Sequence, residues 1–169
     1  MKKYLLIISL LFFVLVSYAQ DKAHETERFV GNLYVYTDYN IGLQKAKEEN
    51  KQVLVYFNGY GCVNAREMES KILLNPDIQK YIDDNLVFIN LFVDERTKLN
   101  EDEKYFSDIL EKEVKTIGEK RFEIEVKYYK FNFQPFFVLL GSDGKEIARI
   151  SYTLDINKFE QFLKNKKAQ

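Results

Sequence analysis

The chain's single cysteine, Cys62, sits where a thiol can do chemistry. It follows the apolar run Val53-Leu54-Val55-Tyr56-Phe57 and the turn Asn58-Gly59-Tyr60-Gly61. It then opens a stretch with Ala65, Met68 and Ile72 at helical spacing. Ligand sites in open α/β sheets lie at the carboxyl ends of strands. A helix N-terminus carries about half a positive charge, which stabilises a thiolate. Arg66, one turn further on, adds to that field. Free cysteine is also a common small core residue. Strand end, glycine turn and helix start together favour the reactive thiol.

The remaining composition excludes other chemistries. One Cys and one His cannot build the usual Cys/His zinc site, and one Cys forms no internal disulfide. Lys plus Arg total 25 against 26 Asp plus Glu, so there is no basic footprint for nucleic acid. Gly59-x-Gly61 lacks the third glycine of a dinucleotide loop, and no phosphate-binding Gly-Lys-Ser/Thr motif is present. No cofactor or metal is expected. His24 falls in a polar N-terminal segment and reads as solvated. Asp94, Glu95, Glu101, Asp102 and Glu103 form an acidic loop that could meet a cation but reads as surface. Lys164 to Lys167 read as a solvated helix end.

The elements that must position Cys62 follow from pattern. Residues 1–19 read as a signal peptide: Lys2 and Lys3, an apolar run from Leu5 to Val16, and Ser17-Tyr18-Ala19 before Gln20. The run is short for a membrane span, so an exported protein of 150 residues and net charge −3 is expected, without a stable span after cleavage. Export makes an odd cysteine a reactive thiol or an intermolecular partner. Residues 20–37 form an N-terminal segment with a short strand over 33–36. Asp38 or Asn40 caps a helix to about Asn50 with Tyr39, Leu43 and Ala46 on one face. The run 53–57 reads as a strand buried on both faces.

Asn75-Pro76 starts a helix carrying Ile78, Tyr81 and Ile82, and Leu86 to Val93 is a second buried strand. The charged segment 94–104 must face solvent. Tyr105, Phe106, Ile109 and Leu110 then suggest a helical face, and after Gly118 another helix carries Phe122, Val126 and Tyr129. Phe136 to Leu140 is a third apolar strand. Asp143-Gly144 turns a hairpin into Glu146–Tyr152, with Ala148, Ile150 and Tyr152 on one side. Asp155 caps a last helix with Ile156, Phe159, Phe162 and Leu163 inward. The expected architecture is α/β: a central mixed sheet, helices on both faces, and a C-terminal β-hairpin plus helix.

The stretch from Tyr56 to Glu69 (YFNGYGCVNAREME) resembles the active-site segment of thioredoxin-fold proteins. It resembles in particular the C-terminal thioredoxin-like domain of the DsbD thiol:disulfide interchange reductases, whose motif reads Cys-Val-Asn-Cys-Arg-Lys-Met-Glu. Ala46-Lys47 with Lys51-Gln52-Val53-Leu54, Leu91-Phe92-Val93-Asp94, and Gln134-Pro135-Phe136-Phe137-Val138-Leu139-Leu140 also match. The resemblance covers about residues 38 to 163, and the domain is set at 38–166. It implies that Cys62 is the attacking cysteine, flanked by Gly61, Val63, Asn64, Ala65 and Arg66. It implies that Pro135 is a cis-proline beside it, and that Gln134 offers backbone to an extended substrate strand.

Two departures stand out. Ala65 occupies the place of the motif's second cysteine, so the dithiol cycle is impaired: one thiol can attack a disulfide but not resolve the adduct. Tyr56 occupies the place of the buried strand carboxylate that many thioredoxins carry. The resemblance therefore implies monothiol exchange with exported protein thiols or disulfides in the periplasm, served by a separate redox donor. The alternatives are a redox-inactive peptide-binding module, or an engineered trap variant lacking its resolving thiol. The intact leader favours a natural sequence. The charged insertion 95–120 is longer than a minimal thioredoxin needs.

Overall fold

The computed structural model describes residues 32–165 and the backbone of residues 28 and 29. The leader, His24 and residues 166 and 167 of the basic tail lie outside the described residues.

The strand run 53–57 is the spine of the molecule. Strand β3 (Gln52–Asn58) pairs in parallel with β4 (Leu86–Phe92) and antiparallel with β7 (Phe136–Leu140), which pairs antiparallel with β8 (Glu146–Ser151). The order β4-β3-β7-β8 makes β3 and β7 central, and both are apolar on either face because both faces are covered. Before them, β1 (Arg28–Phe29) and β2 (Leu33–Tyr34) form a two-stranded ladder. The expected strand over 33–36 is thus shorter. Its continuation lies along β4, where the Tyr36 N–H donates to the Phe88 carbonyl and the Asn90 N–H donates to the Tyr36 carbonyl.

Among the described residues five helices cover the sheet. Helix α1 (Tyr39–Glu49) starts at Asp38, whose carboxylate accepts from the N–H groups of Asn40 and Ile41. It ends at Asn50 in the left-handed region. Helix α2 (Val63–Met68) runs into a wider π-helical turn over Glu69–Leu73, and α3 (Pro76–Asn85) starts on the Asn75 cap with Pro76 at its first position. Helix α4 (Ile117–Ile124) also continues as a π-turn, Glu125–Tyr129, and α5 (Ile156–Leu163) is capped by Asp155. Alternation along the strands divides the core. Leu54, Tyr56, Phe88, Phe137 and Leu139 face α2, α3 and α5; Val53, Val55, Phe57, Ile89 and Val138 face α1 and the turn after α4.

Several expectations are corrected. Tyr105, Phe106, Ile109 and Leu110 do not line a helix: the segment is a hairpin of β5 (Tyr105–Ser107) and β6 (Lys112–Val114), and Phe106 is exposed. Short extended pairing wins because Ser107 and Val114 are the buried positions, leaving no helical stripe. Gly118 does not interrupt a helix but lies inside α4. A Cβ there would stand 2.5 Å from the Glu95 nitrogen, so glycine permits the helix to approach the loop after β4. The inward side chains of this region are Glu125 and Tyr129, with Phe122 and Val126 only half-buried, because the π-turn rotates the face. Ile156 is exposed, and Leu99 inside the charged loop is buried. In β8 a bulge opposite Leu139/Leu140 brings Ile147 as well as Ala148 and Ile150 onto the core, while Tyr152 is partly exposed.

Candidate functional site

Strands β3 and β4 run in parallel, so their carboxyl ends lie side by side, and the turn 58–61 leaves one while Asp94 leaves the other. The Asp94 carboxylate accepts from the Tyr60 N–H at 2.9 Å and the Gly61 N–H at 3.3 Å. The Gly59 N–H donates to the Asn58 side chain at 2.7 Å, and the Cys62 N–H donates to the Gly59 carbonyl at 3.1 Å. The Tyr60 ring stacks on Phe92 at 3.9 Å, and its hydroxyl donates to Glu95 at 2.7 Å. Five hydrogen bonds and one stack therefore fix the loop that presents the cysteine. A Cβ at Gly61 would meet nothing within 4 Å, so space does not demand glycine there.

Cys62 is half-buried at the N-cap position of α2. Its Sγ lies 3.5 Å from the Gln134 carbonyl oxygen, to which the thiol donates. The Gln134–Pro135 peptide is cis, as the resemblance implies, and Pro135 is buried. Residues 72 positions apart thus form one site. Gly61, Val63, Asn64 and Arg66 are exposed on the loop and first helical turn, Val63 to 78 %, whereas Ala65 is fully buried against the core.

Beneath the loop lies a polar cluster. Arg66 donates to the Asn58 side-chain oxygen at 2.8 Å and pairs with Glu69 at 2.7 Å. The same Glu69 oxygen accepts from Asn58 Nδ2 at 2.9 Å and from the Tyr56 hydroxyl at 3.2 Å. The hydroxyl of Tyr56 on β3 donates to a carboxylate supplied by the turn after α2. Burial raises the Glu69 carboxyl above the usual range, and Arg66, Asn58 and Tyr56 pull against that rise. Burial, then Glu69, lifts the Tyr56 phenol, with a smaller push from Cys62. Arg66 therefore serves the cluster as well as the helix end.

The sequence reading missed three participants. Asp94 read as solvated acid, yet it clamps the turn; its position at the end of the parallel neighbour of β3 is the signal that marks it. Glu69 entered only as the last residue of the stretch that carries the resemblance. Glu125, fully buried, accepts from the Gln134 side-chain amide at 2.7 Å, and nothing in the pattern announces it. The acidic loop is otherwise spent on local bonds: Glu101 pairs with Lys104, and Glu103 accepts from the Asn100 N–H. Among the described residues no group of His, Cys, Asp or Glu side chains is arranged to hold a metal ion, and no helix is long and apolar enough to cross a membrane.

The parallel–antiparallel four-stranded sheet, the cysteine at a strand-to-helix turn and the cis-proline beside it define a thioredoxin-like fold. The thioredoxin-like domain family matches residues 39–167, and the chain belongs to it. Among solved structures it is similar to an oxidoreductase titled DsbH, at 18% identity and TM-score 0.57, covering 83% of this chain and 92% of that one. It is similar to the Neisseria meningitidis DsbD C-terminal domain in its oxidised form, at 16% identity and TM-score 0.56, covering 79% and 99%. A thioredoxin from Thermus thermophilus matches at 20% identity and TM-score 0.55, covering 78% and 84%. No curated protein sequence matches.

Proposed function

We propose that this protein carries out thiol–disulfide exchange through Cys62 alone. The observation that carries the reading is the Cys62 sulfur set against the Gln134 carbonyl, beside cis-Pro135, on a loop clamped by Asp94. The Cys62 thiolate attacks one sulfur of a substrate disulfide; a Cys62–substrate disulfide forms and the other substrate sulfur leaves as thiolate. Ala65 has no sulfur to displace the bound partner. An external thiolate, the separate redox donor, attacks the Cys62 sulfur and the substrate leaves as thiolate; a second donor thiolate then attacks the donor sulfur of the Cys62–donor disulfide, so that a donor disulfide forms and Cys62 leaves as the thiolate. The partners are exported protein thiols or disulfides that lay an extended strand along residues 134–135. The setting is the periplasm, reached after removal of residues 1–19 from a domain spanning 38–166. N-terminal sequencing of the protein from fractionated cells checks that part.

The testing experiment incubates the protein with a disulfide-bonded peptide and follows adduct mass. Accumulation of a stable mixed disulfide that glutathione releases supports the reading. Absence of adduct under conditions where Cys62 is alkylated overturns it. The second reading, a redox-inactive peptide-binding module, draws on buried Ala65 in place of a second thiol and on the exposed Val63 and Phe133, 78 % and 71 % accessible. Peptide binding that survives Cys62→Ser unchanged, with no adduct in the parent, favours it.

A further inference from the structure

Glu125 is a carboxyl where the fold gives it little reason to be. It is fully buried in the π-turn after α4, and its Oε2 accepts from Gln134 Nε2 at 2.7 Å. Its Oε1 has no partner. A buried anion is normally held by two or three donors or by an opposite charge. Here one amide faces it, and no charged side chain bears on it. The neighbouring ionisable groups are committed elsewhere. Arg121 donates to the carbonyls of Phe92 and Thr37, Glu123 accepts from Ser107 and Tyr105, and Tyr129 pairs with Tyr39. On the far side, Tyr56, Asn58 and Arg66 converge on Glu69. Gln134 links Glu125 to the site. Its side chain holds the carboxyl, and its main-chain carbonyl receives the Cys62 thiol.

We infer that Glu125 is a positioning residue that sets the Gln134 carbonyl against Cys62 and does so differently in its neutral and ionised forms. The inference rests on Cys62 being the attacking thiol. Burial lifts the carboxyl to about 8, so both forms are reached near neutral pH. Neutral Glu125 offers Gln134 an ordinary acceptor. Ionised Glu125 offers a charge-assisted one, about twice as strong. The tighter bond fixes the carbonyl's partial negative charge against the sulfur and opposes the thiolate. Cys62 reactivity therefore gains less from rising pH than a lone thiol would.

Two measurements test this on the intact protein. The first follows the nitrogen–proton signals of the Gln134 side-chain amide, assigned by their loss in Gln134→Met, as pH is raised. They are expected to shift with a midpoint near 8 in the parent and to lose that transition in Glu125→Gln. The second is the rate of Cys62 alkylation by iodoacetamide against pH. The parent is expected to fall below a single-thiol titration above the same midpoint, and Glu125→Gln to follow the simple curve. Gln134 signals that do not move in the parent overturn the proposal, as do superimposable alkylation profiles. Neither readout needs a disulfide substrate, so failure to form a mixed disulfide and failure of the Glu125–Gln134 coupling are read separately.

Discussion

At the level of single residues, Ala65 decides how far the chemistry runs. Its side chain is wholly enclosed three positions after Cys62, so a sulfur placed there is held close to the first by the same helical turn. With dithiothreitol as reductant for both, Ala65→Cys is expected to reduce insulin faster than the parent, which must wait for external thiol to release each adduct; a turbidity assay compares the two. Asp94 is the second decisive residue, since one carboxylate satisfies two N–H groups of the cysteine loop. Asp94→Ala should lower stability by about 1–2 kcal/mol, the usual cost of losing a capping acceptor. It should also broaden the amide signals of residues 59–62. Chemical denaturation and NMR spectra check the two effects.

Elements show what pattern can and cannot convey. Strands β3, β4 and β7 were legible because continuous apolar runs have few other uses, and the Asp38, Asn75 and Asp155 caps were legible from residue type. The hairpin β5–β6 was not: Tyr105, Phe106, Ile109 and Leu110 mimic a helical stripe, and only the burial of Ser107 and Val114 by tertiary contact reveals extended pairing. The inward face after α4 was misplaced because a π-turn shifts the period, bringing Glu125 where Phe122 and Val126 were expected. Cys62 and the Gln134–Pro135 pair were legible from position and resemblance. Their support from Asp94, Glu69 and Glu125 was not, since isolated acids look alike in sequence. The close approach of α4 to the loop after β4 yields its own expectation. Gly118→Ala sets a methyl against backbone, 2.5 Å from the Glu95 nitrogen and 2.7 Å from the Val93 carbonyl, which cannot give way like a side chain. A loss of about 1–3 kcal/mol is expected from urea unfolding.

For the whole molecule, buried acid couples folding to pH. An unfolded glutamate titrates near ~4.3, and native Glu125 near 8. Between these values the native state keeps a proton that the unfolded state has released. Stability therefore falls as pH rises across that window and levels off above it. Glu69, also raised, acts in the same direction. Urea midpoints at acidic and mildly alkaline pH should show the fall, and Glu125→Gln should flatten much of it. Packing sets the larger scale: Phe137 lies stacked on Tyr56 at 4.1 Å and edge-on to Phe159 at 5.2 Å, joining the central strands to α5. Phe137→Ala should cost about 3–5 kcal/mol in the same assay.

The two margins of the sheet have different fates. Beyond β4 the chain at Tyr36 occupies the free hydrogen-bonding groups itself. At the other margin, β8 carries Arg149, which pairs with Glu146 and donates to the Tyr129 carbonyl at 2.9 Å. Charge fixed along an open strand discourages a second sheet from adding to it. The fold thus protects itself from edge-to-edge aggregation by two unlike means, and a solution of the protein should tolerate crowding until that arginine is replaced by a β-branched apolar residue.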